Sequence, residues 1–370
     1  MVCLDFLEKA FDNALPAYNI VLLARVTKPA RSPLRLVHGR GAAGFTVAVQ
    51  RPNAPRKMPT SIPVLSDTAT LAPPAARPRR SLLASQAFCG WLFVFPALIG
   101  FTLFYFLPTI RAFYIGLTNW NLMRAPKFLG LENYHKLMAD QKFWESMWVT
   151  LLYVIYNIPV QTVLGLLMAV LLNRLTGSVL MRSIMLVPYL ISNVVAAMIW
   201  LWMLDPVLGI VNIVLEHLGL GRHAFFSEGS LALPTIAAIN IWRHTGFIAL
   251  LFYTGLQAIP RHLYEAARIE GASEWKMFWS ITLPLLRPTL VFVLVTSVIG
   301  SFQIFDTIAV TTQGGPGTST RTIVWYIYQL AFSSMRMGYA SAMSTALFFF
   351  LIIVTIIQMR VLRSGQSDLG

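Results

Sequence analysis

The chain has 370 residues, 56% of them hydrophobic and only 12% charged, with a formal net charge of +14 and a mean hydropathy of +0.64. Apolar residues at that density, gathered in long runs, exclude a soluble globular domain and define a polytopic membrane protein. The two cysteines, Cys3 in a tail and Cys89 in an apolar run, suggest neither a disulfide framework nor a metal cluster.

Residues 1–86 hold 12 Lys/Arg against 4 Asp/Glu. An Arg-rich tail ahead of a membrane span favours retention on the cytosolic side and contact with anionic lipid, and gives no reason to invoke nucleic acid. Residues 1–80 show no sustained apolar period, and residues 28–80 are rich in Pro, Arg, Ala, Ser and Thr. Such composition cannot bury enough surface to fold alone, so residues 1–86 are expected to be a disordered basic tail. The apolar patch at residues 18–23 is too brief for a span, and no cleavable signal peptide is evident. Met58 opens MPTSIPVLSD, an alternative translation start that leaves open whether residues 1–57 are translated.

Beyond Arg80 six candidate spans follow, each judged against the roughly 20 residues that cross about 30 Å of hydrocarbon. They cover residues 88–110, 146–173, 183–204, 231–256, 288–305 and 337–359. The fold class is therefore all-α, with six transmembrane helices in a domain at residues 87–363 and a short tail at 364–370. The apolar piece at residues 207–215 is too short to span and reads as an interfacial or re-entrant helix. Counting Lys and Arg in the connections leaves the orientation tied at eight on each side. Arg77, Arg79 and Arg80, just before the first span, break the tie toward a cytoplasmic tail.

Residues 261–287 form a polar, charge-dense island between apolar runs. Within it stand Glu265, Ala266 and Ala267, then Gly271 after three residues, then Ile281, Leu283 and Pro284 after nine more. A short helix at residues 263–269, a turn at Gly271 and a second helix at residues 274–280 would make a helix-turn-helix knuckle on the membrane surface. Pro284 and Pro288 punctuate the approach to the next span.

This island resembles the EAA loop in the membrane subunits of binding-protein-dependent ABC importers, particularly carbohydrate permeases of the maltose and glycerol-phosphate type. Three further stretches are similar to that family: FLGLENYHKLMADQKFWESMWVTLLY, RSIMLVPYLISNVVAAMIWLWMLDP and FDTIAVTTQGGPGTSTRTIVWYIYQLAF. In the last, residues 314–317 (GGPG) read as a tight outer turn. The likeness covers residues 88–362 and departs from the maltose-type subunit in lacking a large inserted outer loop. It implies that Glu265, Ala266, Ala267 and Gly271 couple the chain to a separate ATPase. It also implies a second homologous permease subunit, two copies of the ATPase and an extracytoplasmic substrate-binding protein as partners. The setting implied is a bacterial or archaeal cell membrane, with both termini cytoplasmic.

The chain has no G-x-x-x-x-G-K-[ST] phosphate loop, no H-E-x-x-H, no metal-spaced His or Cys cluster and no G-x-S-x-G elbow. It is therefore expected not to be an enzyme and to bind no cofactor, with ATP and Mg held by the partner ATPase. Within the fourth span, Arg243 stands beside Asn240 and Trp242. A charge near a span centre costs about 2.5 to 3.5 kcal/mol on insertion scales and usually faces a cavity or a partner. One reading has Trp242 stacking a sugar ring while Asn240 and Arg243 donate to hydroxyl or phosphate oxygens. The other makes Arg243 a structural charge paired with Asp306 or a carbonyl, or one near the interface if the span is shifted. Gln303, Asn193 and Ser301 are weaker path candidates of the same sort, of the kind that more often join helices. The solute is expected to be a sugar or sugar phosphate. The alternative to an ABC subunit is a gradient-driven secondary transporter or channel, which would need intramembrane acids for coupling; the spans offer only Asp306, at an edge. A scaffold that merely recruits a soluble partner would leave residues 240–243 without a role.

Overall fold

The computed structural model describes residues 86–175 and 178–362. The expected disordered tail up to residue 85, Met58 within it, and the tail at 364–370 lie outside the described residues. The chain divides into two compact units, Met1–Thr102 and Leu103–Gly370. Described residues of the first form the apolar helix α1 (Gln86–Phe101), with Pro96 inside it.

In the second unit, helices carry the fold among the described residues. α2 (Leu107–Gly116) precedes a short loop and the small helix α3 (Glu132–Ala139), and α4 (Gln141–Leu175) is the longest element. α5 (Val179–Leu190) and α6 (Asn193–Met203) come next, then α7 (Ile210–His217) and α8 (Gly229–Gln257). The knuckle comprises α9 (Arg261–Ile269), α10 (Glu274–Met277) and α11 (Leu283–Leu285); α12 (Arg287–Phe302), α13 (Asp306–Val310), α14 (Ile323–Tyr328) and α15 (Met337–Val361) follow.

Among the described residues, five stretches are long and apolar enough to cross a membrane: Gly90–Gly116, Gln141–Arg174, Gly229–Gln257, Arg287–Val310 and Met337–Val361. They correspond to five of the expected spans. The expected third span is not a single helix, because α5 and α6 meet at an angle of 88° and count as a sixth span only as a bent pair. Pro188 lies in the last turn of α5, and Ile191 and Ser192 leave helical geometry with ψ of 136° and 144°. Ser192 and Asn193 stand at the break, inside an otherwise apolar run whose overall hydropathy still suits a single span. The piece expected at residues 207–215 forms α7, a short amphipathic helix. Asp205 sets the turn before it, where N–H donation from Leu208 and then Val207 holds its carboxyl below the usual carboxylate range.

α8 packs along α4 and α5, and α12 also packs on α4. One apolar cluster joins Ala169 and Leu172 of α4 to Ile248, Phe252 and Leu256 of α8. Another joins Ile158 of α4 to Phe302, Tyr326, Met343 and Leu347. Gly246 makes the contact of α8 with α5 possible, since any Cβ there would overlap the Met185 carbonyl. The family-like stretch around α3 is also bracing. Asn133 donates to the Gly116 and Thr118 carbonyls at 2.8 Å each, and Asp140 accepts from the Tyr339 hydroxyl at 2.7 Å.

Candidate functional site

Two polar regions stand out against this apolar frame. The first is the knuckle. α9 ends with Gly271 at φ = 77°, the Gly271 N–H on the Arg268 carbonyl and the Ala272 N–H on the Ala267 carbonyl. That pair of bonds is the left-handed helix stop for which glycine is suited. The side chain of Ser273 then caps α10 by accepting from the Lys276 N–H.

The second helix is shorter than the expected 274–280. α10 ends at Met277, and residues 278–282 widen into a π-turn two residues before Pro284. Proline has no N–H to close an α-turn and its ring crowds the preceding turn, so the chain adjusts just ahead of it. A π-turn at Thr102–Phe106 stands in the same relation to Pro108.

Glu274 ties the knuckle to α4. It meets Arg174 at 2.7 Å and Arg268 at 3.3 Å, and the Tyr264 hydroxyl bonds that of Thr282 at 2.8 Å. Glu265 and Ala266 are exposed and Ala267 is partly buried. Glu265 makes no ion pair among the described residues, and it lines a cavity of about 440 Å³ together with Arg174, Arg261 and Arg268. Ile269, at the tip, is 88% exposed and Trp275 is 71% exposed. The sequence pattern gave no hint of Ile269, because its helix face depends on where the turn falls.

The second region is a cavity of about 350 Å³ between α4, α8, α12 and the α5–α6 bend. Asn157 and Gln161 enter it from α4, Asn240 and His244 from α8, Asn193 from α6, and Ser297, Gln303 and Asp306 from α12 and the segment after it. Tyr189 and Phe247 stack in its wall, with ring centroids 4.4 Å apart at 8°. Asn157 is 1% exposed and donates to Ser301 at 2.9 Å, and Asn193 donates to Asp306 at 2.8 Å. The Asn157 Oδ1 and Gln161 Oε1 atoms are buried without a donor among the described residues.

Of the four path residues expected from sequence, Asn240 and Gln303 line this cavity while Trp242 and Arg243 do not. The Trp242 ring sets edge-on against Trp200, centroids 5.5 Å apart. Arg243 clasps the bend: its Nε donates to the Ile191 carbonyl at 2.9 Å and its Nη2 to the Tyr189 carbonyl at 3.1 Å. These are carbonyls beside the break, where the chain leaves helical geometry, and the guanidinium fork satisfies both. The partner that sequence reading offered as Asp306 or a carbonyl is thus a pair of carbonyls. Sequence reasoning missed Asn157, Gln161 and the Tyr189–Phe247 stack, which look in sequence like ordinary residues of apolar helices.

A helical membrane protein with a polar cavity among its spans and a charged knuckle at one end has the plan of a transport subunit that draws its energy from elsewhere. The chain belongs to the family described as "Binding-protein-dependent transport system inner membrane component", which matches residues 161–366. It is a permease subunit of that kind of ABC importer and not an enzyme. It is similar to the sulfoquinovosyl glycerol transport system permease protein SmoG of Agrobacterium fabrum, with 36% identity over 74% of this chain and 90% of the relative. The trehalose/maltose transport system permease protein MalF of Thermococcus litoralis is 35% identical over 75% of this chain and 94% of its own length. The sn-glycerol-3-phosphate transport system permease protein UgpA of Agrobacterium fabrum is 32% identical over 76% and 97%. In fold it resembles a chain from the crystal structure of a bacterial ABC transporter that imports the acidic polysaccharide alginate. That likeness has a TM-score of 0.65 at 24% identity, and covers 75% of this chain and 95% of the other.

Proposed function

We propose that this chain forms half of the translocation path for a sugar or sugar-like solute, the other half coming from a second homologous permease. The observation that carries the reading is the cavity, where amide, hydroxyl and carboxylate groups converge beside a stacked aromatic pair. A pyranose has hydroxyls for the former and an apolar face for the latter. The solutes named for the relatives, trehalose and maltose among them, support the same class. Asn240 and Gln303 contact the solute. Trp242 and Arg243 hold the wall in place.

Energy comes from two copies of an ATPase that bind ATP and Mg and dock on the knuckle through Glu265, Ala266, Ala267 and Ile269, with Gly271 fixing its shape. An extracytoplasmic binding protein delivers the solute on the other side. The chain lies in a bacterial or archaeal cell membrane with both termini cytoplasmic, so Gly315→Cys takes label from outside and Ser273→Cys does not. The reverse labelling pattern would invert the topology. Loss of one polar contact is worth about 1 to 3 kcal/mol, so Asn240→Leu is expected to slow uptake at limiting solute by about five- to a hundredfold. ATPase association should stay unchanged, and normal uptake by Asn240→Leu in the reconstituted importer would remove the cavity from the path.

A further inference from the structure

We propose that the cavity admits an uncharged, hydroxyl-rich solute and rejects acidic ones such as sugar phosphates, sulfonates or uronates. This rests on the reading of the cavity as the path and goes beyond it. Family membership does not decide the charge, because the relatives are named for neutral solutes such as maltose and for anionic ones such as glycerol 3-phosphate.

The argument concerns which groups still face the cavity once their internal bonds are satisfied. Asp306 lines it, and only its Oδ2 is engaged, by the neutral amide of Asn193. The nearest cation, Arg243, is not in the wall. Its Nε and Nη2 are taken by the Ile191 and Tyr189 carbonyls, and its Nη1 lies 3.0 Å from the His244 Nε2. That contact also fixes the state of His244. Its Nδ1 lies 3.1 Å from the Asn240 carbonyl, which can only accept, so Nδ1 carries the proton. Nε2 then holds the lone pair facing Arg243, and the imidazole is neutral.

The remaining polar wall consists of amides and hydroxyls. A wall to which this chain contributes one carboxylate and no Lys or Arg suits donor-bearing hydroxyls. It repels an anion, whose charge would stand near Asp306 in a poorly screening surround.

The test uses the full chain in the importer assembled with its partners in proteoliposomes, with Cys3→Ser, Cys89→Ser and Ser297→Cys. Ser297 lines the cavity. Three methanethiosulfonate probes are compared, carrying a sulfonate, a trimethylammonium or a neutral hydroxyethyl group. Each rate is divided by that probe's rate with a free thiol.

The neutral and cationic probes are expected to react at least about tenfold faster than the sulfonate, and Asp306→Asn to bring the three within about threefold. Asp306→Glu should keep the discrimination, which separates loss of charge from loss of structure. Equal rates for the three probes with Asp306 intact, or a faster sulfonate, overturn the inference. A second arm adds maltose or glycerol 3-phosphate before labelling, and slowing by maltose at the lower concentration is the expected result. Slowing by glycerol 3-phosphate at the lower concentration overturns the neutral-solute inference while leaving the path in place. Slowing by neither removes the path reading itself.

Discussion

The knuckle and the cavity are built in opposite ways. The knuckle holds its shape through bonds between near neighbours, such as the Gly271 N–H on the Arg268 carbonyl, and through ion pairs more than half exposed. The cavity holds its shape through bonds between residues far apart in the chain, Asn157 with Ser301 and Asn193 with Asp306, set in packed helices. The difference teaches that the two regions are structurally separable: damage to one should leave the other standing.

The largest effect is expected in the cavity's frame. Gly246→Ala places a methyl on the Met185 carbonyl, a backbone atom that no rotamer change can move aside. Overpacking of that kind costs about 3 kcal/mol. Thermal unfolding of the purified chain should show a clear drop in Tm, and an unchanged Tm would mean that α5 shifts freely against α8.

Gly271→Val comes next. Its Cβ would meet nothing within 4 Å, so the penalty is backbone strain alone, about 1 to 3 kcal/mol for a side-chain-bearing residue at that φ. The expected result is lost ATPase association, measured by co-purification, with a drop in Tm no larger than that of Gly246→Ala. Full ATP-dependent uptake by this variant in vesicles would displace the knuckle from its coupling role.

Arg243→Lys tests the clasp with the charge kept. An ammonium cannot span both carbonyls as the planar fork does, and one lost bond is worth about 1 to 2 kcal/mol. Uptake should slow more than ATPase docking weakens; the opposite order would tie the bend to the knuckle. The smallest effect is expected for Glu274→Gln, where the partners are more than half exposed and the pairs contribute about 0 to 1 kcal/mol. A double-mutant cycle with Arg174→Ala that gave a coupling well above that range would show the pair acting in a closed, desolvated knuckle.

The same contrast explains what could be read from the chain. A glycine at a fixed offset after Glu265, Ala266 and Ala267 announces a helix stop, because the stop needs only local backbone geometry. Five spans announce themselves through apolar length. The third did not announce its break. Pro188 sits one turn from it, but prolines also sit inside the α1, α4 and α8 helices, so proline alone is no signal. Arg243 was visible as an anomaly in an apolar run, yet its partners lie 52 and 54 residues away, and no local pattern encodes that distance. Asn157 and Gln161 become a wall only when α12 and the α5–α6 bend close over them.

The bend also constrains how the chain can be made. Tyr189 and Ile191 emerge from the ribosome well before Arg243, so their carbonyls enter the bilayer before the guanidinium that will satisfy them exists. Free backbone facing lipid is costly, and so is a lone arginine. Each supplies what the other lacks, which makes insertion of the bent pair provisional until α8 arrives. A nascent chain halted at Glu228 would carry the break without its clasp.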